Sequence, residues 1–430
     1  MVNRMDPTII IFILIYLLTV LLSATKIVPM SIAALGGALL TAWFGLQYGV
    51  FSYEDALGFI DMKLLFLIIG TMIVVEVAEK SGLFRFGALY AVKLSKGNPG
   101  RLFVSICVIS AAVSMFLSDP TAMLLMAAAT VTISKLLNYD PIPYFLSATI
   151  MINLGGTSTL IGSTSNMIIG VSSEMSFTDF INYLTPCEVA LWALTIFALY
   201  MLFKSRLGKK KALPEYSPWQ SIENKKFLYQ SIFILFLLVF LFLTLENLGV
   251  GPEAVALGCA ILALVLSNLD PAEIFKRLDW ETVFFIAGFM FIVGGIQKTE
   301  ILGDISTQLF QLVGGSPLNA TLTTLWFSGL ASAIVSNIAV ALTFVPIVAN
   351  FSALNPTLRP SVSSALVLGT NLGGATTPLS GSVCMMAVGT LKREGISMSF
   401  SEFTKIGVIT SMLQLGSSSL YLIARFGLGG

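Results

Sequence analysis

Two stretches of glycine and small polar residues interrupt otherwise apolar sequence, and their residue types suit the binding of a small solute or ion. Glycine lets a backbone leave the helical path and approach a ligand, while Ser, Thr and Asn oxygens replace the ligand's water shell. Half-helix ends that point at such a break favour an anion or a cation, depending on which end it is. The candidate binding residues in the two breaks are Asn153, Gly155, Gly156, Thr157, Ser158, Thr159, Ser163, Thr164, Asn166, Asn371, Gly373, Gly374, Thr376, Thr377 and Ser382.

Two shorter polar sites lie inside apolar stretches that are too long for one membrane span and too short for two. Ser118-Asp119-Pro120-Thr121 interrupts residues 103–137, and Ser336-Asn337 interrupts residues 325–348. Non-helical backbone survives at membrane depth only where it is buried in protein or lines a watery cavity. We therefore interpret both sites as the tips of re-entrant hairpins. Their candidate binding residues are Ser118, Asp119, Thr121, Ser336 and Asn337.

Asp119 is the ionisable residue among these candidates, and an ionisable group inside a membrane marks an ion or proton pathway by default. Its counterpart Asn337 is neutral, so the predicted site is asymmetric and could hold one proton or one sodium ion near Ser118, Asp119, Ser336 and Asn337. The alternative is that Asp119 only caps the following helix. Cys384 could offer a soft ligand to a metalloid, although a free cysteine more often packs as a small hydrophobe. The chain has no histidine and its four cysteines are isolated, so no resident metal or other cofactor is predicted.

The composition places the whole chain in a membrane. Hydrophobic residues make up 56% and charged residues 11% of the 430 positions, whereas soluble proteins carry roughly 25% charge. A span needs about 20 apolar residues, and eight runs approach that length. They lie near residues 8–23, 27–50, 62–78, 187–203, 229–245, 251–267, 280–297 and 405–424. The predicted fold class is an all-α polytopic membrane protein.

The chain resembles itself at nearly constant separation. Asp61 and Asp279, Gly70 and Gly288, and the two Asn-Leu-Gly-Gly motifs each pair at 218 positions. Ala34-Leu35-Gly36 matches Ala256-Leu257-Gly258 at 222 positions, and Ser176-Phe177 matches Ser399-Phe400 at 223. We therefore predict two repeats, 1–203 and 228–430, each with about five spans, one re-entrant hairpin and one broken helix.

Loop charges predict the orientation of the repeats. Lysine and arginine dominate 204–227, 79–101 and 391–405, whereas 174–188 and 246–253 contain acidic residues and no basic one. By the positive-inside rule the first three segments face the cytoplasm, and 204–227 is then a cytoplasmic linker. Five spans per repeat is an odd number, so the second repeat is inverted relative to the first. The predicted location is the plasma membrane.

The motifs of this chain are similar to those of the arsenite/antimonite permease and P-protein branch of the ion transporter superfamily, which also contains citrate-type and divalent anion/sodium symporters. The motifs are Ile60-Asp61 through Gly70, Leu94 to Pro99, Leu117-Ser118-Asp119, Thr121 to Leu125, Asn153 to Asn166, Leu278 to Thr282, Ser336-Asn337 and Leu372-Gly373-Gly374. The resemblance implies a transport domain and a scaffold domain, a homodimer and elevator-like movement. The chain departs from the branch at its hairpin tips, where Asp-Asn pairs are usual.

These observations favour secondary active transport of a small inorganic or organic solute, with arsenite or antimonite efflux driven by a proton or sodium gradient as the leading case. The alternatives are a sodium-coupled carboxylate or other anion symporter and a sodium/proton antiporter. An ion channel would share hairpins and half-helices but needs a continuous polar pore. No catalytic grouping is present, so an enzyme is not predicted, and the near-neutral net charge of +1 does not suggest nucleic acid binding. The chain lacks a P-loop, so any dependence on ATP would require a separate ATPase subunit.

Overall fold

A computed structural model describes residues 7–25, 27–117, 119–211, 217–312 and 316–427. These residues form α-helices and short helical turns without a β-strand, and eight helices are long and apolar enough to cross a membrane. The prediction of an all-α polytopic membrane protein is confirmed. The spans differ from the prediction at two places: the run at 251–267 forms a 16-residue helix, and Asn337–Leu354 in the second predicted hairpin has the length of a span.

Among the described residues, the first half of the chain contains ten α-helices, labelled in chain order. They are α1 (Pro7–Thr25), α2 (Met30–Gln47), α3 (Tyr53–Leu57), α4 (Met62–Lys80), α5 (Leu83–Ser95), α6 (Pro99–Ser114), α7 (Asp119–Leu137), α8 (Pro141–Gly156), α9 (Thr164–Ser172) and α10 (Phe177–Phe203).

The second half contains ten more. They are α11 (Lys225–Leu245), α12 (Pro252–Ser267), α13 (Pro271–Arg277), α14 (Trp280–Gln297), α15 (Ile301–Leu312), α16 (Pro317–Ser332), α17 (Asn337–Leu354), α18 (Arg359–Gly373), α19 (Ser382–Arg393) and α20 (Phe400–Leu422). The helices α4 to α9 each begin 218 positions before α14 to α19, and α10 begins 223 positions before α20. Equivalent positions in the two halves are defined below by these separations.

Residues that recur in both halves cap equivalent helices. The carboxylate of Asp61 accepts a hydrogen bond from the backbone N–H of Lys63 at the start of α4, and that of Asp279 accepts one from Thr282 at the start of α14. Ser176 and Ser399 cap α10 and α20 in the same way. Side-chain acceptors at these positions satisfy N–H groups that have no partner inside the helix. The recurring Asp and Ser residues therefore fix where equivalent helices begin.

Two equivalent glycines hold the halves together. A Cβ placed on Gly70 of α4 would lie 2.7 Å from the carbonyl carbon of Ala256 in α12, and one on Gly288 of α14 would lie 2.7 Å from that of Ala34 in α2. No larger side chain fits at either position, because the obstacle is backbone. Small residues of this kind let membrane helices approach closely. Each half therefore packs its glycine on the Ala-Leu-Gly motif of the other half.

The equivalent helices α10 and α20 run antiparallel. Arg206, just after α10, donates a 2.7 Å hydrogen bond to Glu402 near the start of α20, while Tyr421 near the end of α20 donates to the carbonyl of Tyr183 near the start of α10. The hydrogen bond to Glu402 raises the pKa of the Arg206 guanidinium, so Arg206 stays positively charged. We call the end of the molecule that carries residues 204–211 and 217–224, including Arg206, the linker end, and the other the opposite end.

Glu188 lies elsewhere than the sequence indicates. The acidic segment 174–188 is interpreted above as a loop, but α10 begins at Phe177 and Glu188 lies well inside it. Pro186 stands within the same helix without ending it. The loop is therefore shorter than expected, and Glu188 is a buried residue of a membrane-spanning helix.

Candidate functional site

Both predicted breaks are present as interruptions between helices. The first separates Gly156, the last residue of α8, from Thr164, the first of α9, and the second separates Gly373 from Ser382. The hairpin turns lie between α6 and α7 and between α16 and α17. Ser118 lies outside the described residues. Asp119 and Ser382 are described by their backbone positions, at the first residues of α7 and α19.

A buried amide network joins the two breaks. The Asn153 side chain donates a 2.5 Å hydrogen bond to the carbonyl of its equivalent, Asn371. The Asn371 amide donates to Oδ1 of Asn166 at 2.7 Å and accepts from the hydroxyl of Ser165 at 2.9 Å. The amide of Asn166 donates in turn to the carbonyls of Gly156 and Thr159, at 2.9 and 2.7 Å. The network satisfies the carbonyls of Gly156 and Thr159 and joins the two breaks by hydrogen bonds.

Each break is also tied to the hairpin turn of its own half. The hydroxyl of Thr159 donates to the carbonyl of Met115 at 2.7 Å, and the hydroxyl of Thr377 donates to the carbonyl of Ala333 at 3.1 Å. These are equivalent bonds in the two halves, since both partners differ by 218 positions. In addition, α7 packs on α19 and α17 packs on α9, so each hairpin also contacts the short helix of the other half.

Several other candidate residues serve the framework in this structure. A Cβ on Gly155 would lie 2.2 Å from the carbonyl oxygen of Ala111, and one on Gly373 would lie 2.1 Å from that of Gly329, so both glycines allow close packing of a hairpin arm. Thr157 donates to the carbonyl of Asn153, and Thr376 hydrogen-bonds to Ser411 on α20.

The remaining candidates occupy the second hairpin turn and the two breaks. Ser336 precedes α17 without a side-chain cap, and buried Asn337 accepts from the backbone N–H of Ile338. Gly374 packs beside Asn153 and Asn371. Buried Cys384 donates to the carbonyl of Gly374 at 3.5 Å.

A cavity of about 230 Å³ lies on one side of the first break. Three of the candidate residues line it, namely Thr121, Ser163 and Thr164. Its other walls include Thr71 and Glu76 of α4, Met167 of α9, Arg277 at the end of α13 and Asp279 at the start of α14. The first hairpin turn contributes Phe116. The cavity therefore lies between the first hairpin and the first break.

A charged pair that is not among the candidate site residues of the sequence lines this cavity. Nε of Arg277 lies 3.6 Å from Oε1 of Glu76, which is buried at the linker end of α4. The internal repeat could have signalled both residues, because their equivalents Phe59 and Gly294 are uncharged. A charged residue whose equivalent in the other half is uncharged is not required by the helix packing that the two halves share.

The sequence of this chain is similar to those of known transporters. Residues 10–362 match the citrate transporter family (CitMHS). An uncharacterized transporter of Mycobacterium bovis is 30% identical over 376 residues, which cover 85% of this chain and 87% of that protein. The human P protein is 24% identical over 456 residues, covering 86% of this chain and 54% of that protein.

Among solved structures, the YdaH transporter of Alcanivorax borkumensis superposes with a TM-score of 0.68 at 16% sequence identity, covering 99% of both chains. At that identity the likeness concerns the fold. The family match spans most of the chain and supports the predicted superfamily without singling out arsenite permeases. This chain is a membrane transporter that belongs to the CitMHS citrate transporter family.

Proposed function

We propose that this chain is a secondary active transporter that moves a small, hydroxylated solute by elevator-like alternating access. The observation that carries the proposal is the 230 Å³ cavity, whose lining includes Thr121 of the first hairpin, Ser163 of the first break, and Glu76 and Arg277 near the linker end. Two inverted repeats, 1–203 and 228–430, would place a second path at the opposite end. The antiparallel α10 and α20 support that inversion. The linker 204–227 would face the cytoplasm of a plasma-membrane homodimer.

The electrostatics of the cavity support an uncharged substrate. Its lining holds two acidic side chains, Glu76 and Asp279, and one basic side chain, Arg277, whose charge is already paired with Glu76. A multiply charged anion would face this unfavourable balance in a region of low dielectric constant. Arsenite and antimonite are neutral trihydroxides at pH 7, and the hydroxyls of Thr121, Ser163 and Thr164 can hydrogen-bond to them. Efflux of arsenite or antimonite is therefore the leading case.

Carboxylate transport is the second candidate. The family to which the chain belongs is described as a citrate transporter family. In addition, Ser163 and Thr164 on the cavity wall stand at the start of α9, and helix N-termini favour anions. A carboxylate bound there would need its remaining charge compensated by a coupling cation. The proposed place for a coupling proton or sodium ion is around the hairpin tips, with Asp119 and Asn337 as ligands.

Transport by purified protein in liposomes tests these proposals. Arsenite, antimonite and citrate are supplied in turn under imposed pH or sodium gradients of either direction. We expect arsenite or antimonite to accumulate against its concentration gradient only while an ion gradient is present. Accumulation of citrate alone would select the second candidate, and a flux that never exceeds equilibrium under any gradient would indicate a channel.

Matched variants connect the transport to the cavity. Thr164→Val keeps the shape of the side chain and removes its hydroxyl, so we expect a several-fold higher KM. Thr244→Val is the control, since Thr244 is exposed on α11 and its side chain bonds, within the described parts of the chain, only to the carbonyl of Phe240. Equal KM values for the two variants would place the substrate outside this cavity. Asp119→Asn should abolish gradient-driven accumulation while solute exchange continues, and full coupling in this variant would assign Asp119 to capping.

A further inference from the structure

Glu188 is a buried acidic residue of α10 with no apparent structural task. It is 1% exposed, and neither of its carboxylate oxygens has a hydrogen-bond partner among the described residues. It also belongs to none of the ion pairs formed by that part of the chain. An unpaired carboxylate is costly at membrane depth, and such residues are rarely retained without a function.

The equivalent residue in the second half shows where Glu188 lies. It is Ser411 of α20, at the same separation of 223 positions as the first residues of α10 and α20. Ser411 donates to the carbonyl of Leu372 at 2.9 Å and hydrogen-bonds to Thr376 of the second break at 2.9 Å. The equivalents of Leu372 and Thr376 are Leu154 and Ser158, and α10 packs on α8. By this equivalence Glu188 stands beside the first break.

Several buried polar groups on α10, on the first break and on α6, which packs on α10, are also unpaired. Ser110 and Ser114 of α6, Ser158 of the break and the indole N–H of Trp192 have no hydrogen-bond partner within the described chain. The equivalents of the three serines are paired: Ser328 donates to the carbonyl of Thr324, Ser332 donates to that of Thr370, and Thr376 hydrogen-bonds to Ser411. We call the contact region of α6, α8 and α10 around Glu188 the acidic seam. A protonated carboxyl group both donates and accepts, so it suits a set of hydroxyls that lack partners.

The elements packed against α10 bring no described cation to the acidic seam. Those elements are α6, α8, α11, α18 and α20, together with the short turns after α11 and α20. Their titratable and charged residues are Arg101, Cys107, Tyr144, Lys225, Lys226, Tyr229, Glu246, Arg359, Glu402, Lys405, Tyr421 and Arg425. Within α10 itself Asp179, Tyr183, Cys187 and Tyr200 are titratable. On α20 no such residue occurs between Lys405 and Tyr421, the stretch that faces Glu188.

We propose that Glu188 binds a proton in the acidic seam and that its protonation couples the first break to the proton gradient. In this proposal the carboxyl group takes its proton from water on one side, keeps it while the seam is buried, and releases it when movement of the first break exposes the seam. This rests on the proposed function of ion-coupled transport. The site is separate from the hairpin tips around Asp119 and Asn337, which could still hold a different cation.

Infrared spectroscopy of the purified protein tests the protonation without requiring transport. At pH 8 the C=O stretching band of a protonated carboxylic acid should be present in the wild type, missing in Glu188→Gln, and unchanged in Glu300→Gln, which alters an exposed glutamate. The band should shift in D₂O. Its persistence in Glu188→Gln, or its absence from the wild type, would overturn the proposal whatever the protein transports.

Transport then tests the coupling. With arsenite or citrate as the probe, Glu188→Gln should lose at least tenfold of the accumulation driven by a pH gradient, yet keep exchange of the probe across the membrane at equilibrium. Glu188→Asp, which can still bind a proton, should restore part of the accumulation. Full proton-driven accumulation in Glu188→Gln, or dependence of the wild type on sodium alone, would refute the role of Glu188. Wild-type protein that moves neither probe but shows the Glu188 band would fail the proposed function and leave the protonation site standing.

Discussion

The two ends of the molecule use equivalent positions in opposite ways. At the linker end Glu76 and Arg277 form an ion pair that lines a 230 Å³ cavity. At the opposite end the same positions are Gly294 and Phe59, and a Cβ on Gly294 would lie only 2.6 Å from the Phe59 ring. That ring packs edge-on against Phe51 and Phe291, with centroids 5.0 and 5.3 Å away.

This contrast separates two levels of information in a repeated chain. The repeated caps and glycines fix where helices begin and how closely they pack, and they do so alike in both halves. Side chains at single positions then decide whether a given contact is charged and open or aromatic and filled. Aromatic rings bury large apolar areas and exclude water, whereas a charged pair retains water around it. We infer that Phe59 and Gly294 form a seal at the end of the molecule opposite the cavity.

The largest expected effect concerns which side of the membrane each end of the molecule faces. In a cysteine-free background, a single cysteine at Lys210 or Lys392 should react with an impermeant thiol reagent only from the cytoplasmic side, and one at Asp179 only from outside. Lys210 and Asp179 flank α10, which is long enough to span the membrane. Labelling of both positions from the same side would exclude an inverted arrangement of the two ends.

The next largest effect is expected at the network that joins the breaks. Asn371→Ala removes the hydrogen-bond donor to Asn166 and the acceptor for Ser165. The side chain that is lost is buried. Each buried group left unpaired costs about 1–3 kcal/mol, so we expect a loss of about 2–4 kcal/mol and a lower midpoint of thermal unfolding in detergent. A midpoint equal to that of wild type would mean that water replaces Asn371 and that the breaks are independent.

A third, smaller effect compares the equivalent positions Gly294 and Glu76 directly. Gly294→Leu inserts a side chain against Phe59, and overpacking of this kind typically costs about 1–3 kcal/mol. Glu76→Leu at the equivalent position borders the cavity, so it should change the unfolding midpoint much less. If Glu76→Leu were the more destabilising variant, the linker end would be packed as tightly as the seal and the contrast would fail.

The sequence predicted the features that repetition or polarity makes visible. The breaks, the hairpin turns and most spans follow from Gly, Ser, Thr and Asn inside apolar runs, because such residues are expensive in lipid unless buried or functional. Glu188 and Arg277 were missed for a physical reason: an acidic or basic residue near a predicted helix end is equally compatible with a solvated loop. Only packing distinguishes the two cases. Likewise Gly155 and Gly373 could equally have served a ligand or a close helix contact, and the structure assigns them to the contact.

The smallest expected effect concerns the difference between the breaks. In the first, the Asn166 amide donates to the carbonyls of Gly156 and Thr159. In the second, Ser380 donates to the equivalent carbonyls of Gly374 and Thr377 at 2.8 and 2.7 Å, assisted by the thiol of Cys384, which stands where Asn166 does. The two breaks therefore satisfy the same backbone groups with different side chains, and the chemistry should be transferable.

Transfer of the first break's residues into the second tests this equivalence. Ser380→Gly alone leaves the carbonyls of Gly374 and Thr377 without their hydroxyl donor and should cost about 1–3 kcal/mol. Cys384→Ala alone removes a weak S–H donor and should cost under about 1 kcal/mol. The double variant Ser380→Gly with Cys384→Asn recreates the pair Gly162 and Asn166, so its unfolding midpoint should return close to that of wild type. Because an amide has two donors and a thiol one, recovery in the double variant would show that donor geometry, rather than residue identity, maintains the break. A double variant no more stable than Ser380→Gly would mean that the halves have diverged in backbone as well as in side chains.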